Sequence, residues 1–167
     1  VTLTYQYVRW GPIQRAKGVP RYAVEGRLVI RRSSTAEGAS YAVTRDRNQG
    51  RRRNRLEATI TCTGPNDSIA AWRLRSRFFD PQTGGEIPGL DLAEEGTVDG
   101  STVRIRSQGG VRESSATGPV QTQWTLLRTL AAGRGRERSY PFDLLDDLWA
   151  WKPNQTVRYM GAVEVPV

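Results

Sequence analysis

At 167 residues the chain has the length of one domain, enough to bury a core without disulfide staples. Its formal net charge of +8 comes almost wholly from 23 arginines, against Lys17 and Lys152, and arginine forks suit carboxylates, phosphates and sulfates. There is no histidine, which removes imidazole general bases, Ser-His triads, Cys-His dyads and most zinc or iron sites.

In chain order, period-two alternation of apolar and polar residues dominates. Leu3, Tyr5 and Tyr7 predict a first strand. Tyr22, Val24, Gly26, Leu28 and Ile30 share one face of a second, with Glu25, Arg27 and Arg31 opposite. Tyr41 and Val43 predict a third. In 56–62 Leu56, Ala58, Ile60 and Cys62 oppose Glu57, Thr59 and Thr61; in 72–78 Trp72, Leu74 and Phe78 oppose Arg73, Arg75 and Arg77. Val103 and Ile105 alternate with Arg104 and Arg106. Trp124, Leu126 and Leu130 mark a strand over 120–131, and Val157, Tyr159, Val163 and Val165 a last one. Each reads as half-buried, with one face in the core and one in water. The breaks agree: Asp99-Gly100 suits a hairpin turn, and Gly64-Pro65-Asn66-Asp67, Gly84-Gly85 and Gly109-Gly110 are further turns.

One segment departs from this period. Between Ser139 and Trp151, Phe142, Leu144, Leu145, Leu148 and Trp149 fall on one side and Asp143, Asp146 and Asp147 on the other, which predicts an amphipathic helix. Pro141 suits its first turn and Pro153 its stop. The expected fold is therefore all-β: one domain over 1–167, an antiparallel barrel or half-barrel of about eight to nine strands with one short helix before the last strand. A two-sheet sandwich or jelly roll is the alternative.

About eight strands, a helix and a closing strand resemble the layout of the lipocalins, and equally the half-barrels of bacterial lipoprotein carriers. The lipocalin Gly-x-Trp opening is not met, because Trp10 precedes Gly11, and the Thr-Asp-Tyr turn is missing. The resemblance implies a small-molecule ligand, apolar at least in part, in a β-walled cavity.

Three candidate sites follow. The first is the aromatic set Tyr22, Tyr41, Trp72, Trp124 and Tyr159, all on inward faces, which would line such a cavity or simply fill the core. The second is an anion-binding face of Arg73, Arg75 and Arg77 on one strand with Arg104 and Arg106 on another. Arg51, Arg52, Arg53 and Arg55 make a further basic cluster. This face would meet a polyanion or nucleic acid, or else be solvated and paired with acids of adjacent strands. Third, Asp91, Glu94, Glu95 and Asp99, with Asp80 and Glu86, are the carboxylates on which an enzyme (a lyase, isomerase or glycosidase) would draw. The leading expectation is non-catalytic ligand binding, with no cofactor and no metal. Cys62, the only cysteine, reads as a buried hydrophobe. No apolar run approaches the roughly 20 residues that span a bilayer. A start at Val1 suggests a mature or trimmed chain and an extracytoplasmic location.

Overall fold

The alternating segments form eight strands: β1 (Thr2–Trp10), β2 (Tyr22–Ser34), β3 (Gly38–Gln49), β4 (Arg52–Thr63), β5 (Ser68–Phe79), β6 (Leu92–Asp99), β7 (Thr102–Ser107) and β8 (Gly110–Ser115). The computed structural model describes residues 1–10, 22–49, 51–132 and 139–158. The strands hydrogen-bond in chain order, each antiparallel to the next. This is an up-and-down meander, and the connections of a jelly roll are absent from it. Among the described residues β1 and β8 do not pair, so the sheet stays open and no closed barrel forms.

Register carries the sequence alternation into rows across the sheet. Arg32, Tyr41, Ile60, Trp72, Gly96, Ile105 and Arg112 lie in one row. The row's centre is apolar: Tyr41, Ile60, Trp72 and Ile105 are 0–3% exposed. A one-residue slip would turn these side chains to water, so burial of this face fixes the register. Gly96 is required here by space. A Cβ on it would sit 2.2 Å from Cζ2 of Trp72, whose ring lies across the glycine.

A second layer covers this inner face. It consists of β9 (Val120–Gln121), α1 (Leu126–Ala132), β10 (Ser139–Asp146) and β11 (Ala150–Arg158), with β10 parallel to β9 and antiparallel to β11. Val120, Trp124, Leu145 and Leu148 join the core residues of the large sheet in one cluster. Fully burying a side chain such as Leu145 or Ile60 stabilises the fold by roughly 1.5–3 kcal/mol. No helix among the described residues is long and apolar enough to cross a membrane.

The second layer corrects two expectations. The segment Ser139–Trp151 is not a helix but β10, a turn and the start of β11. Its helical spacing has two causes. The register shifts between Phe142 and Leu144, a bulge that breaks strict alternation. Asp147 and Leu148 then both adopt positive φ (48° and 65°), closing a hairpin that buries Leu148. The prolines are placed accordingly. Pro153 lies at the bulge of edge strand β11, and Pro141 lies where two-residue β9 no longer reaches β10.

Conversely, the strand expected over 120–131 is two residues of β9, a turn and the helix. Thr122 caps that helix: its hydroxyl accepts from the N–H groups of Trp124 (3.0 Å) and Thr125 (3.2 Å). The Thr125 hydroxyl accepts in return from Thr122 N–H at 3.0 Å. These exchanges satisfy first-turn donors that have no partner within the helix. Tyr159 and the last strand's Val163 and Val165 lie outside the described residues.

Candidate functional site

Three residues of the expected aromatic lining lie in the core. Tyr41, Trp72 and Trp124 are 2–3% exposed and belong to the common core cluster. Tyr22 opens β2, paired with Trp10 of β1. The structure therefore gathers Tyr41, Trp72 and Trp124 into one buried core cluster.

Two of the buried carboxylates, Asp67 and Asp143, are fully engaged. Asp67 accepts from Arg32 Nε at 2.7 Å, Arg32 Nη2 at 2.9 Å and the Tyr41 hydroxyl at 2.5 Å. Burial opposes its charge, but the bonds from Arg32 and Tyr41 hold the carboxyl below the usual carboxylate range. Burial and Asp67 also push Tyr41 up, so its proton stays in place. Asp143, 0% exposed, accepts from the backbone N–H of Thr117 (2.6 Å), Gly118 (3.1 Å) and Asn154 (2.7 Å). These donors outweigh the cost of burial and lower its pKa too. Asp67 ties the β4–β5 turn to β2 and β3, and Asp143 ties β10 to the β8–β9 connection and to the β11 bulge. Cys62, 0% exposed, has its thiol pushed up to about 12, first by burial and then by Asp67.

Of the other acids, Glu94 and Glu95 point to opposite faces. Glu94 is buried, and its Oε1 accepts from Arg112 Nη2 at 3.3 Å. Burial raises its pKa, with Arg112 pulling the other way. Glu95 stands on the open face between Arg73 (3.7 Å) and Arg106 (3.4 Å). Among the described residues no group of three or more His, Cys, Asp or Glu is placed to hold a metal ion.

The open face gathers the arginines. β5 and β7 are separated by β6, so Arg73 and Arg106 flank Glu95 in one row that continues through Thr59 on β4. Thr61, Ala71, Thr97, Arg104 and Glu113 form the next row, where Arg104 donates to Glu113 at 2.8 Å. A depression of about 600 Å³ runs along these two rows, walled by Thr59, Thr61, Thr97 and the arginines. A shallower one of about 330 Å³ continues from Thr59 and Arg73 to Thr44, Glu57 and Arg75.

The guanidinium groups differ in how firmly they are held. Arg73, Arg104 and Arg106 are 85%, 56% and 67% exposed. Arg75 is exposed and has no carboxylate partner among the described residues. Arg77 is more enclosed, pairing with Glu57 at 3.2 Å and Glu86 at 3.8 Å, with the Phe79 ring 5.8 Å beneath it. Arg53 and Arg55 lie toward that end, beside a further depression of about 800 Å³; Arg53 pairs with Asp46, and Arg55 with Glu57 at 2.9 Å. Exposed pairs of this kind contribute roughly 0–1 kcal/mol each, so an acid such as Glu95 is held to its arginines only weakly.

Period-two reading does identify the arginines of this face. It does not reveal Glu95 at their centre, because strand order decides which acid intervenes. Nor does it single out Asp67, which in sequence is one more residue of a Gly-Pro-Asn-Asp turn and has φ 50°. No protein-family model, curated protein or solved structure matches the chain.

Proposed function

We propose that the chain is a non-catalytic binding module whose open sheet face takes an extended anionic ligand, an acidic polysaccharide. The observation that carries this reading is the strip formed by Arg73, Arg75, Arg104 and Arg106. These side chains stand exposed along continuous depressions, and Glu95 and Glu113 only partly offset their charge. A net charge of +8 adds long-range attraction for any polyanion. Thr44, Thr59, Thr61 and Thr97 supply hydroxyls along the same strip, suited to sugar hydroxyl and sulfate or carboxylate oxygens.

The filled interior supports this choice over a ligand enclosed among Tyr41, Trp72 and Trp124, because entry there would displace well-packed aromatic side chains. Of the rings along the strip, Trp72 is 3% exposed and Phe79 lies at the far end under Arg77, so neither presents an open face to a base. Single-stranded nucleic acid binders rely on such platforms.

The test is a fluorescence titration with heparin, and separately with a single-stranded oligonucleotide, at stepped salt concentrations. The reading expects heparin binding that weakens steeply with salt, and a large further loss in Arg106→Glu. Equal affinity of Arg106→Glu and the unaltered chain would overturn it. Tighter binding of the oligonucleotide at matched charge would replace the polysaccharide with nucleic acid.

A further inference from the structure

We propose that the β1 edge is where two copies of this chain pair, antiparallel about a two-fold axis at Thr4, joining their sheets into one. Among the described residues β1 is an edge of the large sheet, hydrogen-bonded to β2 alone. At its start, Val1 N–H donates to Arg32 O at 2.8 Å and Arg32 N–H returns to Val1 O at 2.8 Å. In an antiparallel ladder such exchanging pairs alternate. Leu3 and Tyr5 therefore bond to β2, and the N–H and C=O groups of Thr2, Thr4 and Gln6 point outward.

Edges are normally guarded by charge, proline or a bulge. Edge strand β8 carries Arg112 and Glu113, and edge strand β11 carries Lys152, Pro153 and a bulge. From Thr2 to Gln6 β1 has none of these; its own bulge comes later, between Tyr7 and Val8, and confines regular pairing to the first stretch. Charge narrows the contact. A second copy also carries +8, so two copies repel across the arginine face, whereas Thr2–Gln6 of β1 carries no charged side chain.

The pattern of the strand is also self-complementary. With Thr4 opposite Thr4 of the second copy, Leu3 faces the second Tyr5 on the inner side, and Thr2 faces Gln6 on the outer side. Leu3 and Tyr5 are 40% and 41% exposed although they share the inner face with Ile30 and Leu28. Pairing covers them, and the outward N–H and C=O groups meet in the same register. The two-fold axis of an antiparallel pair is perpendicular to the sheet, so both open faces lie on the same side. One short strand pair buries less than the roughly 1,200–2,000 Å² of a stable complex. The dimer is accordingly weak and concentration-dependent.

Sedimentation equilibrium over micromolar to millimolar protein tests this, with circular dichroism and Tm as fold controls. The unaltered chain is expected to rise from 18.7 kDa toward twice that mass. Thr4→Pro removes an N–H that β2 does not use, and Thr4→Lys places like charges across the axis. Both are expected to stay monomeric with unchanged Tm, while the β8 control Val111→Lys still dimerises. A monomer at every concentration would overturn the proposal. So would a dimer that survives both Thr4 variants, or one that Val111→Lys abolishes.

Discussion

The two faces of the large sheet are built by the same strands yet obey different energetics. On β4, Leu56, Ala58, Ile60 and Cys62 point into a filled interior, while Arg55, Glu57, Thr59 and Thr61 point into an open, charged trough. The inner face is held by shape: its rows interlock, and Trp72 fits only because Gly96 has no side chain. The outer face is held by little, because its ion pairs around Glu95 and Glu113 are exposed and replaceable. A protein organised in this way puts stability on one side of a strand and leaves the other free to exchange partners.

Substitutions can break that division, and the largest effects belong inside. Trp72→Ala is expected to destabilise by about 3–5 kcal/mol, measured by urea unfolding. Gly96→Ala forces its Cβ into the Trp72 ring and is expected to cost about 1–3 kcal/mol. In the double variant Trp72→Ala/Gly96→Ala that clash is gone, so the two losses should fall well short of additive.

Acid exposes the same asymmetry. Asp67 and Asp143 have folded pKa values below their ordinary range. Their contribution is therefore present above the unfolded value, about 3.9, and is lost as pH falls through the lower folded values. Unfolding monitored by near-ultraviolet circular dichroism should accelerate below roughly pH 4, and Asp143→Asn should already be less stable at pH 7. Glu94 has the opposite sign. Its pKa is raised, so its contribution is fullest below the unfolded value and declines as pH rises through the folded one. Glu94→Gln should flatten that decline in a Tm-against-pH series.

The smallest stability effects and the largest binding effects belong outside. Arg75→Ala and Glu95→Gln are each expected to shift stability by no more than about 0.5 kcal/mol. Their effects on heparin affinity should nevertheless be opposite. Removing Arg75 weakens binding, and neutralising Glu95 strengthens it by freeing Arg73 and Arg106.

Much of this division is legible in the sequence, because strands half-buried in water write their two faces as alternate residues. That is why the Arg73–Arg77 and Leu56–Cys62 patterns lead directly to β5 and β4. The second layer is less legible for a physical reason. A bulge at Phe142–Leu144 and a turn with two positive-φ residues reproduce helical spacing without a helix. The real helix is only seven residues long, and its start is marked by Thr122 and Thr125 rather than by an acidic capping residue. The candidate site was half visible: the arginines follow from period, but the intervening Glu95 depends on β6 lying between β5 and β7, which no periodicity states.

The central claim is that ligand meets the open face and leaves the interior undisturbed. The most direct test is a nuclear magnetic resonance titration that follows arginine Nε–H and tryptophan indole signals together as a heparin-derived oligosaccharide is added. The account predicts progressive shifts for Arg73, Arg75, Arg104 and Arg106 while the buried Trp124 indole stays fixed. Movement of the Trp124 signal with the arginines unchanged would contradict it and place the ligand inside the core.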